Sequence, residues 1–182
     1  MFSYDTKSAL ASAADLVNTA PDADTGRVER LPDEAALREF VARWGWTGPI
    51  PIRDDELERV YAVRALLREL WDAAGEESRA VPLINRMLRE AQVLPQLARH
   101  DDWPYHLHGW SDETPIAERF LAEPAMGLVD MVRADALDRL RVCSAPDCAG
   151  VLVDFTRNSS RRYCDDGCNN RLNVAAYRAR RA

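Results

Sequence analysis

A mainly α (α+β) fold is predicted for this chain, with a helical N-terminal domain that contains a short β-hairpin, followed by a small module built on four cysteines. Apolar residues recur at helical spacing through most of the first 140 residues, which favours amphipathic helices. All four cysteines of the 182-residue chain lie between positions 143 and 168. These two observations predict domains over residues 1–140 and 141–182.

The first three helices are predicted from apolar stripes bounded by residues that begin or end helices. The first covers residues 8–19, and the second covers residues 33–44, with acidic residues in its first turn. Asp54 can accept hydrogen bonds from the first amides of a third helix. Gly75 is expected to follow the last residue of this helix, because glycine readily adopts the left-handed backbone that ends helices.

The rest of the N-terminal domain predicts a fourth helix, a hairpin and a fifth helix. The fourth helix is expected over residues 82–91. Residues 93–94 and 105–108 are short apolar or aromatic runs that are expected to pair as two strands. Thr114-Pro115 is a typical helix start, a capping residue followed by proline at the first helical position. This fifth helix is expected to continue to Arg141.

The cysteines form two closely spaced pairs in the pattern C-x4-C-x15-C-x3-C. Two such pairs allow one chain to place four thiolates around a tetrahedral Zn²⁺ ion, at about 2.3 Å each. Disulfides or buried free thiols are the alternatives, and neither pair has the C-x-x-C spacing of a thioredoxin-type redox site. The first 20 residues carry Asp5 and Asp15 and no unbroken apolar run, unlike an export signal, which disulfides would require. The predicted ligands of a structural zinc ion are Cys143, Cys148, Cys164 and Cys168.

Composition and charge favour a globular protein with one basic end. With 47% hydrophobic residues, 30% charged residues and no apolar run near the roughly 18 residues that cross a bilayer, a cytoplasmic protein without membrane association is expected. Residues 141–182 carry a net charge of +4, whereas residues 1–140 carry −10. Such an asymmetry indicates either a tail that meets a polyanion or a solvated basic terminus without a partner.

The residues between and after the cysteine pairs predict a treble-clef-like finger. Residues 151–155 are expected to form a strand, residues 157–160 a turn and residues 161–163 the returning strand. A helix over residues 165–180 then supplies the last ligands, and metal binding offsets the entropy lost in ordering so small a core. One face of that helix, which begins with Cys168, is small and apolar and is expected to pack on the metal and the hairpin.

The opposite face of this helix is polar and basic, and together with arginines of the hairpin it is predicted to bind DNA. Arginine can engage phosphate oxygens with two hydrogen bonds, and asparagine or arginine on a helix can reach base edges in the major groove. The alternative is that some of these arginines pair with Asp147, Asp154 or Asp165, or with the acidic body. The predicted DNA contacts are Arg157, Arg161, Arg162, Asn170, Arg171, Tyr177, Arg178 and Arg181.

The last 40 or so residues closely resemble the CGNR zinc-finger family. Besides the cysteines, the resemblance is carried by Thr156-Arg157-Asn158, by Arg161-Arg162-Tyr163 before the third cysteine, by Asn170-Arg171, and by the run Ala176–Arg180. The sequence departs from the family pattern at Asn169, where the signature has glycine, and in a last cysteine pair that is one residue tighter. The resemblance implies a zinc-binding, DNA-binding finger.

The N-terminal part is similar to the ABATE domain that occurs with this finger, at residues 15–19 and 83–86. This resemblance implies a stress-induced bacterial transcription regulator whose N-terminal domain binds an effector or forms a homodimer. Asn18 and Asn85 are candidate ligand-binding residues, the alternative being amides that bond to backbone.

The function predicted from the sequence is DNA binding through the finger, in a regulator and not an enzyme. No nucleophile-base arrangement, phosphate loop or H-E-x-x-H motif is visible in the sequence. The alternative function is a zinc-stabilised protein-interaction or small-molecule-binding protein that does not bind DNA.

Overall fold

The computed structural model describes residues 2–46, 49–99, 105–164 and 167–181. Within these ranges the chain forms six helices and two separate two-stranded antiparallel sheets, which confirms the predicted mainly α (α+β) class. Every helix in these ranges is too short or too polar to cross a bilayer. The helices are α1 Tyr4–Val17, α2 Glu34–Arg43, α3 Glu56–Asp72, α4 Glu77–Glu90, α5 Ile116–Arg133 and α6 Cys168–Ala179, and the strands are β1 Gln96–Ala98, β2 His106–His108, β3 Leu140–Val142 and β4 Val151–Val153.

The core of the N-terminal domain is built around α5, which packs against α1, α3 and α4. The apolar stripes of these helices meet there, with Leu10, Leu67 and Leu128 fully buried. Gly127 allows α1 and α5 to approach closely, because a Cβ atom at this position would lie 3.2 Å from Cγ of Leu10. The helical periodicity of the sequence therefore identifies the residues that form this core.

The first and third helices begin at other residues than the sequence predicts. α1 begins at Tyr4, before residue 8, because the side chain of Ser3 accepts a hydrogen bond from the amide of Thr6 at 3.0 Å and caps the helix. α3 begins at Glu56, and its cap residue is Asp55 instead of Asp54, with no side-chain hydrogen bond. Gly75 follows the end of α3 with φ at +83°, the left-handed backbone expected of a glycine that ends a helix.

The fourth helix is longer than predicted, and the first strand of the hairpin lies further along the chain. α4 begins at Glu77 and includes Pro82, which lacks the one amide that would bond to Ser78. Burial of Ala80 and Ile84 on either side of this proline holds the helix against the core. The predicted hairpin is present, but His106–His108 pairs with residues 96–98, not with residues 93–94.

The predicted continuation of the fifth helix to Arg141 is wrong. α5 ends at Arg133, and Asp135 has φ at +50°, which reverses the chain out of the helix. A single 3-10 turn over Leu137–Arg139 then leads into β3. Because Arg141 lies in a strand, the finger begins with an extended segment and not with the end of a helix.

The strand that follows the first cysteine pair finds a different partner from the one predicted. β4 pairs with β3, which precedes Cys143, and Val142 lies opposite Val151. Residues 161–163, predicted as the returning strand, are not part of a sheet, although the carbonyl of Arg162 accepts a hydrogen bond from the amide of Ser144 at 2.8 Å. The predicted boundary between residues 140 and 141 therefore falls inside β3.

Most residues of the last helix are exposed. The predicted start at residue 165 lies outside the described residues, and the structure begins α6 at Cys168, after Gly167 with φ at +77°. Only Cys168 is buried and Leu172 half-buried, so the expected packing of the apolar face on the metal and the hairpin is wrong beyond Leu172. The three alanines of that face, all exposed, are Ala175, Ala176 and Ala179.

Candidate metal centre

Each cysteine is positioned by an element of the C-terminal module. Cys143 directly follows β3, and Cys148 lies three residues before β4, so the pairing of these strands closes the turn between the two cysteines. The amide of Cys143 donates to the carbonyl of Gly150 at 2.7 Å and extends this ladder. Cys168 is the first residue of α6, and Cys164 lies four residues before it in the sequence. The structure therefore brings together all four residues that the sequence predicts as ligands.

The four sulfur atoms have the spacing of a metal site. All four side chains are buried, and their Sγ atoms lie within 4.8 Å of one another. Cys164 Sγ is 3.7 Å from Sγ of both Cys148 and Cys168. A zinc ion bonded to four sulfurs at about 2.3 Å requires neighbouring sulfurs to lie about 3.8 Å apart, whereas a disulfide requires about 2.05 Å. None of the four cysteines forms a disulfide, and their arrangement fits a tetrahedral ion with soft ligands.

Burial raises the pKa values of the Cys143 and Cys148 thiols, whereas hydrogen bonds from backbone amides lower them. Burial raises the pKa of Cys148 to about 11. Burial would also raise the pKa of Cys143, but hydrogen bonds from the amides of Ala145 and Cys164 outweigh it and lower that pKa. Four buried sulfurs cannot all ionise beside one another unless a cation compensates their charge. A bound divalent ion would supply that compensation.

Gly150 allows the backbone to approach the sulfurs, a role that the sequence reasoning missed. Its amide donates to Sγ of Cys148 at 3.3 Å. A Cβ atom at this position would lie 3.1 Å from Sγ of Cys164 and 3.2 Å from Sγ of Cys148. Because these distances are below ordinary van der Waals contact, a side chain here would push the sulfurs apart.

Asp154 organises the loop between β4 and the second cysteine pair. Its fully buried carboxylate accepts hydrogen bonds from the amide of Thr156 at 2.9 Å and the amide of Arg161 at 2.8 Å, and it forms an ion pair with Arg141 at 3.0 Å. Burial raises the pKa of Asp154, but these hydrogen bonds and the charge of Arg141 outweigh it, and the pKa lies below its usual value. The loop that carries Arg157 is therefore fixed by a charge inside the module.

The module is joined to the N-terminal domain by buried hydrogen bonds. The side chain of Asn18, at the end of α1, donates to the carbonyl of Val151 at 2.8 Å and accepts from its amide at 2.7 Å. The indole of Trp71 donates to the carbonyl of Leu152 at 3.0 Å. Val151 and Val153 belong to the core of the N-terminal domain. β4 is thus shared between the two domains.

The two asparagines predicted to bind a ligand are placed differently. Asn18 is buried and bonded to Val151 at both ends of its amide, as the alternative reading of this residue expected. Asn85 is exposed on α4. Neither lines the cavity of about 890 Å³ that lies between α1, the β1–β2 hairpin and α5. The hydrogen bonds of Asn18 to Val151 therefore give it a structural role.

Most of the residues predicted to contact DNA are exposed, and several of them also contact other residues of the module. Arg171 forms an ion pair with both oxygens of Asp147, with the longer contact at 2.7 Å, and Asp147 holds the pKa of the guanidinium above its usual value. Arg161 is half-buried and donates to the carbonyl of Tyr163 at 3.3 Å. The guanidinium of Arg181 lies 4.6 Å from the ring centroid of Tyr177, a cation–π arrangement. The other exposed members of the set are Arg157, Arg162, Asn170 and Arg178.

Two protein families match the chain in the order that the sequence resemblance predicts. The ABATE family, described as "Putative stress-induced transcription regulator", matches residues 10–135. The CGNR zinc finger matches residues 139–181 and therefore includes all four cysteines. The predicted resemblance is confirmed. No curated protein is similar enough to the chain to count as a relative.

Proposed function

Because the chain belongs to the ABATE family and carries a CGNR zinc finger, we propose that it is a cytoplasmic bacterial transcription regulator that binds DNA through this finger. The N-terminal domain would bind an effector or form a homodimer. The proposal assigns the chain no enzymatic activity. It is supported most by the exposure of α6 and the charge around it.

A zinc ion is the proposed cofactor. The 3.7 Å sulfur spacing and the all-thiolate donor set suit zinc, which would cross-link β3, the turn before β4, and the start of α6. With four protein ligands the site has no open coordination position, so its role is structural. Metal analysis of reduced protein should give one zinc per chain, and Cys168→Ser should lower both the zinc content and the order of α6 measured by circular dichroism. Protein that lacks zinc and keeps its α6 helix after strong chelation would contradict this assignment.

The DNA-binding surface is formed by exposed arginines of the finger. Residues 167–181 contain four arginines and no carboxylate. Among the described residues, no carboxylate forms an ion pair with Arg157, Arg162, Arg178 or Arg181, so their guanidinium groups are available to phosphates. Each phosphate contact contributes about 0.9 to the slope of log affinity against log salt concentration. Sequence-independent affinity with a steep salt dependence is therefore expected.

Fluorescence anisotropy with a random-sequence duplex tests this proposal. Zinc-loaded protein should bind, and replacement of both Arg178 and Arg181 by alanine should reduce the salt slope by about 2. The matched control is Arg89→Ala, which removes an exposed arginine from α4 and should leave binding unchanged. A lack of binding at low salt, or equal salt slopes for the double variant and the wild type, would reject the proposal.

A second candidate function, recruitment of a protein partner, is favoured by the apolar part of α6. Val174 and Tyr177 are 39% and 48% exposed, and the three alanines beside them are also exposed. Exposed apolar surface on a helix is typical of docking to another protein. Light scattering separates the two functions. A stable dimer that is lost in Val174→Asp, with no affinity for duplex, would favour the second candidate.

A further inference from the structure

The N-terminal domain contains a cavity of about 890 Å³, which is within the usual range for small-molecule sites. It lies between α1, the end of α2, the β1–β2 hairpin and α5. These segments are far apart in the sequence, so the cavity exists only in the folded domain. The zinc-binding cysteines and the arginines of the finger are not part of its lining.

One wall of the cavity is aromatic. The rings of Trp46 and Trp110 have centroids 6.4 Å apart and are inclined by 35° to each other. The imidazole of His108 lies against Trp110 at 4.6 Å with a similar inclination. Exposed Leu97 of the hairpin adds apolar surface at the cavity. Such a wall favours a ligand with a flat, apolar body.

The polar groups of the cavity carry an excess of negative charge. Three carboxylates line it, Asp5, Glu123 and Asp130, against one arginine, Arg133. Asp130 accepts a hydrogen bond from the hydroxyl of Thr6 at 2.7 Å, which fixes its position. With neutral histidines and all three carboxylates ionised, the lining has a net charge of −2, which attracts a cation.

Glu123 lies beside the aromatic wall, where the indole of Trp110 donates to its carboxylate at 3.1 Å. Among the described residues, no lysine or arginine forms an ion pair with it. The guanidinium of Arg119 is nearby but lies over the ring of Trp110 at 4.0 Å and donates to the carbonyls of Thr114, Pro49 and Asp112. Burial raises the pKa of Glu123 to about 7, and the hydrogen bond from Trp110 offsets this only in part. A cation beside this carboxylate would therefore stabilise its ionised form.

We infer that the cavity binds an organic cation, a small molecule whose protonated amine pairs with Glu123 and whose apolar body lies against Trp46 and Trp110. The aromatic rings provide flat apolar surface for the body of the ligand, and the carboxylate supplies a charge-assisted hydrogen bond to its amine. A metal ion is not favoured, since among the described residues the only cluster of three or more metal-binding side chains is the group of four cysteines. The inference rests on the effector-binding half of the proposed function and is independent of DNA binding.

Three probes of similar size and different charge test the inference on the full zinc-loaded chain. They are 3-phenylpropylamine, 3-phenylpropan-1-ol and 3-phenylpropionate, with binding measured by titration calorimetry. The amine should bind saturably at millimolar concentration, the alcohol about tenfold more weakly and the carboxylate more weakly still. Equal or tighter binding of the alcohol or the carboxylate, or no saturable binding of the amine up to about 20 mM, would overturn the inference.

Variants of two glutamates identify the group that binds the amine. Glu123→Gln keeps the shape of the side chain and removes its charge, so the affinity for the amine should fall about tenfold while that for the alcohol changes little. Glu39→Gln removes an exposed carboxylate of α2 and is the matched control, with wild-type affinity expected. An unchanged affinity of Glu123→Gln for the amine would overturn the assignment. The thermal transition of each variant, measured without ligand, shows that the fold is intact.

The same amine also tests whether ligand binding in the cavity regulates DNA binding. α1 lines the cavity near its start and holds Val151 of the finger through Asn18 at its end, so one rigid helix joins the two regions. The amine is therefore expected to change the affinity of the wild type for duplex, and not that of Glu123→Gln. Binding of the amine without an effect on DNA affinity would keep the cavity assignment and reject its role in effector sensing. The converse result, DNA binding without amine binding, would reject the cavity assignment alone.

Discussion

Replacement of Asn18 by alanine is expected to weaken the junction between the N-terminal domain and the finger. The buried amide of Asn18 bonds to both backbone groups of Val151, at 2.8 and 2.7 Å. Alanine would remove the partner of each group, and a buried backbone group that loses its partner destabilises a protein by about 1–3 kcal/mol. The expected decrease in the free energy of unfolding is therefore about 2–6 kcal/mol, or a fall in Tm of about 4–24 °C for a chain of this size.

Urea unfolding of zinc-loaded protein, followed by circular dichroism, measures this change. The shift in the transition midpoint at constant slope gives the difference in free energy. Asn85→Ala is the matched control, because Asn85 is exposed on α4 and its loss should change the free energy of unfolding by less than about 0.5 kcal/mol. Equal free energies of unfolding for the two alanine variants would refute the structural role of Asn18.

Three further predictions concern the finger. Gly150→Ala should lower the affinity for zinc in a chelator competition, because its Cβ would lie 3.1 Å from the nearest sulfur, and unchanged zinc affinity would contradict the close approach. The folded-state pKa of Asp154 is lowered, so its carboxylate stabilises the fold above the ordinary pKa of 3.8, and this contribution is lost as the pH falls through the folded-state pKa. The difference in free energy of unfolding between the wild type and Asp154→Asn should therefore decrease from pH 6 to pH 3. A difference that stays constant over this range would contradict the stabilising role of the ionised Asp154 carboxylate. Arg171→Ala should weaken both the stability of the finger and duplex binding, because Arg171 forms an ion pair with Asp147. Arg178→Ala should weaken duplex binding alone, because Arg178 is exposed. Identical thermal transitions for the two variants would contradict a stabilising role that only Arg171 has.

The helices of the N-terminal domain could be predicted because their apolar stripes are local in the sequence. Leu10 and Leu67 each fall on a stripe that the sequence predicts, and both are fully buried. The ends of the helices were less predictable, because several neighbouring residues are each able to cap the same helix. Ser3 caps α1, so that the helix begins at Tyr4, four residues before the predicted start. Asp135, with φ at +50°, follows the end of α5 well before Arg141.

The long-range contacts of the finger were outside the reach of sequence patterns. A strand pattern at Val151 to Val153 indicates an extended segment but does not identify its partner, which is β3 and not the segment after the turn. Asn18 and Val151 are 133 residues apart, so no local signal relates them. The exposure of α6 was likewise unpredictable, since an apolar face shows what a helix could bury and not whether a neighbour is present to cover it.

The sequence by itself determined the helical class, the group of four cysteines and the basic tail, because these follow from residue types and their spacing along the chain. The tertiary structure decided which strand completes the finger, that Asn18 holds the two domains together, and that Trp46, Trp110 and Glu123 surround one cavity. Contacts between distant segments depend on how helices pack in three dimensions. That packing is set by the shapes and hydrogen bonds of many side chains at once, and local periodicity does not contain it.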